Sequence, residues 1–303
     1  MTFFIRGPQP TAGHDFCNGK QPGTGRRFSL FILAVFLSAC CVLPADAQTG
    51  LFSSWEGRVR KTVAGQPAWA VPVITPTSGL VQLARFDAVR QITATHTETW
   101  NYGNSKGFDL IPWYKIEVDV ALPAYIEHNS AARDDAGDWL LSLKYRFLAG
   151  DSKHGNYSLS ASVTGTAPTG SYKNGSPDGS VAPTIYGGKG YGRFDVQSSL
   201  AATLPTGDTA TTGRPVAWNT VGQYRATRLL WPEIENNSTF YHGGPNDGKL
   251  QSFVTPGLMV NKIPLSRAPN SRLAFIFGGG FQIATSQFHS YNHALIVTGR
   301  ISF

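Results

Sequence analysis

The chain closes on Tyr291-Asn-His-Ala-Leu-Ile-Val-Thr-Gly-Arg-Ile-Ser-Phe303. Leu295, Val297, Gly299, Ile301 and Phe303 fall on one face of an extended backbone, and Ile296, Thr298, Arg300 and Ser302 on the other. That is the period of two a β-strand imposes. A strand of a soluble sandwich lays its apolar face on a core and commonly runs on into a polar tail. Here the alternation continues to an aromatic residue, so the question for the upstream chain is whether the same pattern recurs.

It recurs throughout. Trp113 to Leu122 alternates Tyr114, Ile116, Val118, Val120 and Leu122 against Lys115, Glu117, Asp119 and Ala121. Trp139, Leu141, Leu143, Tyr145 and Phe147 alternate with Leu140, Ser142, Lys144 and Arg146. Further strands are expected at 81–100, 157–167, 181–187, 193–204, 216–226, 229–241, 250–263 and 272–285, separated by Gly, Pro, Asn and Asp. This is the spacing of an antiparallel meander. The segment Tyr157 to Gly170 echoes Phe194 to Gly207, each ending Pro-Thr-Gly, so the two copies should run the same way across the sheet.

Composition agrees. With 33 glycines, 12% aromatic and only 15% charged residues, the chain favours short strands and tight turns over a helical domain. Of its 26 basic and 19 acidic residues, four basic and two acidic precede Gln48, leaving net +5 beyond it. That is too mild to argue for nucleic acid, and no basic stripe with interleaved aromatics supports one.

Residues 1–47 read as a secretory signal with an upstream extension: Arg26-Arg27, the apolar run Phe28 to Leu43, then Ala45-Asp46-Ala47. The run is shorter than the roughly 20 residues of a membrane helix. Cleavage after Ala47 is expected; the alternative takes Leu37-Ser38-Ala39-Cys40 as a lipoprotein box with Cys40 lipidated. All three cysteines, Cys17, Cys40 and Cys41, precede Ala47, so cleavage there excludes disulfides, thiolate metal sites and cysteine nucleophiles. Residues 48–79 are poorly patterned and broken by Pro67, Pro72 and Pro76, residues that cannot donate to a ladder. They are expected to form a periplasmic segment, and residues 80–303 the barrel.

An all-β, closed, up-and-down antiparallel barrel follows, because an open ladder edge cannot stand in hydrocarbon. The pattern yields eleven strands. Even strand number in such barrels asks for a twelfth, expected in Ala68 to Ser78, with ten the alternative. If the last strand runs inward, Pro123–Asp138, Pro168–Ser180 and Pro205–Arg214 become outer loops, and Asn101–Gly107, Ala149–Gly155 and Gly187–Gly192 periplasmic turns. The longer connections then fall outside and the shorter inside, as barrels of this kind require.

The final strand resembles the C-terminal signature of bacterial outer-membrane barrels. That likeness implies an assembly signal at Val297, Ile301 and Phe303, read by the barrel assembly machinery. A second resemblance rests on Gly188-Lys-Gly-Tyr-Gly-Arg-Phe-Asp195, Leu204-Pro-Thr-Gly207, Trp231-Pro-Glu-Ile-Glu235, Asn246-Asp-Gly-Lys249, Thr255-Pro-Gly-Leu258 and Gly278-Gly-Gly-Phe-Gln-Ile-Ala284. In order and spacing, from about residue 80 to 303, these resemble the family named for the MetA pathway of phenol degradation. The resemblance implies a Gram-negative outer-membrane barrel, reached through the cleaved signal, that helps small weakly polar or aromatic compounds across the envelope. It supplies no catalytic residues, cofactor or metal. The expected partners are outer-membrane lipids, the assembly machinery and a small solute.

Opposite the apolar faces lie Glu117, Asp119, Lys144, Arg146, Arg225, Glu233 and Glu235, the candidate lumen-lining residues. Cross-strand neighbours sit about 5 Å apart, so opposite charges can pair, either neutralising a packed interior or forming a constriction. Two other classes remain. A structural barrel would present its loops around a closed lumen. A lipid hydrolase would need a nucleophile and base, for which Ser286, His289, Ser290 and His293 are candidates, without an acidic neighbour to orient either ring. Gly187, Gly188, Gly190 and Gly192 lack the following helix of a phosphate cradle and are read as a tight turn.

Overall fold

The computed structural model describes residues 50–171, 174–268 and 271–303. The leader, its cleavage or lipidation site and the cysteines lie outside the described residues. The elements are helix α1 (Gly50–Ala64), then β1 (Leu83–Ile92), β2 (Glu98–Tyr102), β3 (Gly107–Trp113), β4 (Ile116–Ala121), β5 (Tyr125–His128), β6 (Asp135–Ala136), β7 (Trp139–Gly150), β8 (Tyr157–Ala167), β9 (Ser180–Tyr191), β10 (Phe194–Ala202) and β11 (Leu204–Pro205). A single turn of helix, α2 (Thr209–Thr212), precedes β12 (Val216–Tyr224), β13 (Leu230–Phe240), β14 (Leu250–Pro264), β15 (Ala274–Ala284) and β16 (His293–Ser302).

The sheet closes into a barrel. Every neighbour pair is antiparallel, and β1 pairs with β16 from Leu83↔Ser302 to Ile92↔His293. Around the wall the order is β16, β15, β14, β13, β12, β10, β9, β8, β7, β4, β3 and back to β1, twelve strands. The strands β2, β5 and β6 extend β3, β4 and β7 toward the loop end.

The twelfth strand comes from a place other than Ala68–Ser78. The long Thr-rich stretch 81–100 contains a hairpin turn at Thr93–Thr97, where Thr93 N–H donates to Thr97 O (3.0 Å) and His96 adopts φ 59°. Threonine favours strands, and it hid this turn. Asn101–Gly107, read as a hairpin turn, is instead an interruption between β2 and β3, with Gly103, Asn104 and Ser105 all at positive φ. The reversal falls at Tyr114–Lys115, where Lys115 sits at φ 65°.

The alternation sorts the wall by chemistry. On β7, Leu141, Leu143, Tyr145 and Phe147 are exposed while Ser142, Lys144 and Arg146 are buried. On β16, Leu295 and Val297 face out, and Ile296, Thr298, Arg300 and Ser302 face in. Trp113, Tyr114, Phe147, Tyr191, Phe194 and Tyr224 are exposed around the end of the barrel that holds Leu83 and Ser302, as an interfacial aromatic girdle requires. An apolar exterior around a polar, charged interior is the reverse of a soluble fold and suits a surface facing hydrocarbon.

The interior is occupied by the chain itself. Residues 66–81 thread through it, in place of the periplasmic segment expected up to residue 79, with a strand at Ala68–Ser78, and of a wall expected to begin at 80: Ala70, Val73, Thr75, Ser78 and Leu80 are each at most 1% exposed. Val73 belongs to an apolar cluster with Val89, Trp231, Met259, Ile276, Ala294 and Ile296, residues of β1 and β13–β16. Ahead of it, α1 presents Trp55, Val59 and Thr62 on one stripe. Val59 packs with Leu80 and Ile111, and the Trp55 indole donates to Ile111 O (2.7 Å).

Candidate functional site

The inner wall and the threaded segment form one hydrogen-bonded system. Pro67, Pro72 and Pro76 stop the segment from joining a ladder, yet its remaining amides and carbonyls are buried and need partners. The wall supplies them through side chains. Glu233 accepts from Val73 N–H (2.8 Å), and Glu235 accepts from Ile74 N–H (2.7 Å) and from Thr75 N–H. Arg300 donates to the carbonyls of Val71 and Pro72 (2.6 Å each), and Arg85 to that of Val73. Gln197 accepts from Thr77 Oγ1 (2.9 Å) and Ser78 N–H (3.1 Å), while Ser158 and Ser160 donate to Ser78 O. Lys144 donates to the carbonyls of Thr77 (2.8 Å) and Gly79 (2.7 Å).

Most of the sequence candidates take part. Glu117 and Lys144 are register partners and form a buried ion pair (3.2 Å), and Glu117 also accepts from Val81 N–H. Arg146 lies beyond the acidic residues of β4 in register. Its guanidinium donates to Thr62 O (2.9 Å) and the Gln66 side chain. Asp119 lies opposite Ser142, and its Oδ1 has no partner among the described residues. Arg225 does not approach Glu233 or Glu235. It continues the inner row of β12 into the turn at the barrel mouth, where it is exposed, two positions past Gln223, the residue opposite Glu233 in register.

Several members escaped the sequence reading. Arg85 and Asp87 make a two-point ion pair (2.9 and 2.7 Å) inside β1, and Arg300, Gln197 and Gln223 complete the inner ring. Their signal was available: each occupies the polar phase of a strand, two residues from another polar one. Gly188 and Gly190 also serve the interior. A Cβ at Gly188 would come within 2.5 Å of the Trp69 ring and 2.6 Å of Ser78 Oγ, and one at Gly190 would run into the Asn156 side chain first and come within 2.8 Å of the Trp69 indole nitrogen. Only Gly192 behaves as a turn glycine, at φ 61°.

At the mouth beside Leu83 and Ser302, a cavity of about 410 Å³ is lined by Ala68 of the segment and by Arg193, Arg225, Ala226, Thr227, Arg228, Trp231 and Asn261. The hydrolase candidates do not assemble. His289 Nδ1 lies 2.8 Å from Ser286 O and Nε2 2.9 Å from Asn292 Oδ1, Ser286 Oγ donates to Phe288 O, and the His293 ring packs on Phe281. Among the described residues no group of three or more His, Cys, Asp or Glu could hold a metal ion.

The fold is that of an outer-membrane β-barrel. It is similar to the crystal structure of the COG4313 outer membrane channel from Pseudomonas putida F1, with a TM-score of 0.51 and 15% identity over 77% of this chain and 97% of that one. The NanC porin aligns with a TM-score of 0.46 and 8% identity over 74% of this chain and 99% of that one. No family profile matches the chain, and no curated protein does.

Proposed function

We propose that this protein is an outer-membrane channel of the MetA-pathway phenol-degradation family, passing small weakly polar or aromatic compounds, with residues 66–81 as its plug. One observation carries the reading. Among the described residues, no backbone-to-backbone hydrogen bond ties residues 66–81 to the wall; side chains make every polar contact between them. A laddered strand would be a permanent part of the barrel. A segment held by Glu233, Glu235, Arg300, Arg85, Gln197 and Lys144 can yield contact by contact, and it leaves behind a wall of polar side chains that water can solvate. The inner wall carries both signs, with Arg85, Lys144, Arg146 and Arg300 against Asp87, Glu117, Glu233 and Glu235, so opposite charges offset much of the net field that would select ions, which suits uncharged or weakly polar solutes. Twelve strands enclose a lumen between the filled eight-stranded barrels and the wide porins.

The buried contacts of Thr75, Ser78 and Leu80, each 0% exposed, favour a second reading, a closed barrel that only presents its loops. Planar-bilayer recording and liposome swelling with small neutral solutes separate the two. The channel reading expects discrete low conductance, with a larger open fraction in Glu235→Ala. Silence from both proteins, each shown to be folded by heat-modifiable gel mobility, would leave the closed barrel standing.

A further inference from the structure

We infer that the mouth cavity is a binding site for a small carboxylate with an apolar body. Arg193 extends the inner row of β10 (Asp195, Gln197, Ser199) by one position, and Arg225 extends that of β12 (Val221, Gln223) in the same way. Both therefore reach into the vestibule, and Arg228 joins them from the next turn. Three arginines line one cavity, and none makes an ion pair or side-chain hydrogen bond with another described residue. The acidic residues nearest on these rows point inward and form no ion pair with the three arginines, although Asp195 Oδ2 has no hydrogen-bond partner among the described residues. Asp195 accepts from Gln197 (3.3 Å), and Glu233 accepts from Gln223 and from Val73 N–H. An uncompensated cationic cluster attracts an anion, and guanidinium forks hold a carboxylate through paired, charge-assisted hydrogen bonds.

The rest of the lining sets the other half of the ligand. Trp231 is only 4% exposed, yet its indole N–H has no hydrogen-bond partner among the described residues. A buried donor left unpaired is costly, and a ligand oxygen would satisfy it. The indole with Ala68 and Ala226 offers an apolar wall, while Asn261 adds a further polar side chain without a hydrogen-bond partner among the described residues. A volume of about 410 Å³ takes a single-ring acid comfortably. Inorganic phosphate would use the arginines and leave the apolar wall wet. The inference goes beyond the proposed channel: it assigns an anion site at the mouth, outside the charge-balanced lumen, and rests on that reading only for the site's place as a vestibule; binding itself can be measured without flux.

The test is calorimetric titration of the folded, detergent-solubilised protein with benzoate, benzyl alcohol and inorganic phosphate at constant ionic strength. Benzoate should bind saturably at one site, with benzyl alcohol and phosphate at least ten-fold weaker. Arg193→Gln with Arg225→Gln should weaken benzoate at least ten-fold, and Arg228→Gln alone several-fold. Trp231→Phe, which keeps an aromatic wall and removes the N–H, should also weaken it several-fold. Equal binding of benzoate and benzyl alcohol, phosphate as tight as benzoate, or benzoate affinity unchanged in the folded arginine variants would overturn the inference. Benzoate binding without conductance would remove the channel reading and leave the site; conductance without benzoate binding would do the reverse.

Discussion

Lys144 and Glu117 stand opposite each other on β7 and β4, 3.2 Å apart, and each also grips the plug: Lys144 through the carbonyls of Thr77 and Gly79, Glu117 through the Val81 N–H. The pair therefore couples wall to plug. Removing one partner of a buried pair leaves an uncompensated charge, at a cost of about 3–5 kcal/mol. Lys144→Met should loosen residues 77–81 first, since two plug carbonyls lose their donor as Glu117 loses its counter-ion. Hydrogen exchange should rise at Gly79 to Val81 while the β10–β15 ladder keeps its protection. Uniform loss across the barrel would show that the pair supports the wall and not the plug.

Glu235 accepts from two successive amides, Ile74 and Thr75. Glu235→Ala strands both donors at about 1–3 kcal/mol each, whereas Glu235→Gln keeps one acceptor oxygen. The alanine variant should expose the plug to limited proteolysis between Val71 and Thr77 well before the glutamine variant does. Equal cleavage rates in the two would count against the carboxylate as the holder of this stretch.

How far the sequence reveals all this depends on which contacts are local. Strand alternation is a property of neighbouring residues, so Lys144, Arg146, Glu117 and Arg300 could be assigned to one phase of their strands directly. The plug is different. Its backbone is satisfied by side chains of distant strands, from Lys144 for Gly79 to Glu233 for Val73 and Arg300 for Val71, and nothing within Gln66 to Val81 announces them. The prolines argue against a ladder there while strand parity places a twelfth strand at Ala68–Ser78, and neither could say that the stretch lies inside the barrel. Where two local signals competed, as at Thr93–Thr97 and Asn101–Gly107, composition favoured the wrong one: threonine concealed a turn, and Asn-Tyr-Gly-Asn-Ser suggested one inside a wall.

Trp69 and Gly188 allow a cycle that tests close approach. A methyl at Gly188 would overlap the Trp69 ring and crowd Ser78, so Gly188→Ala should destabilise the plug; overpacking of this kind typically costs 1–3 kcal/mol. Combined with Trp69→Ala the clash largely disappears, and the two effects should fall short of additive by more than the roughly 0.5 kcal/mol scatter of independent sites. Thermal melts of the four proteins measure the coupling. Strict additivity would mean that Trp69 does not press on this glycine in solution.

The last prediction concerns the charge balance that the channel reading depends on. Lys144 and Arg146 project from the same phase of β7; Lys144 stands opposite Glu117, with Asp119 two positions along β4 on one side and Arg146 two positions along β7 on the other. Reversing both, Lys144→Glu with Arg146→Glu, gathers four carboxylates on one patch of the inner wall. It also removes the donors to Thr62, Thr77 and Gly79. Two effects should then appear together. The plug loses its grip at this end, so the open fraction in planar bilayers rises; and the patch becomes strongly anionic, so the reversal potential in a salt gradient shifts toward cation selectivity. Screening predicts that the shift shrinks as salt rises from 0.1 to 1 M, where the Debye length falls from about 10 to 3 Å. A folded double variant with unchanged selectivity and unchanged open fraction would show that ions do not pass this wall, and the residues would then be filler for a closed interior.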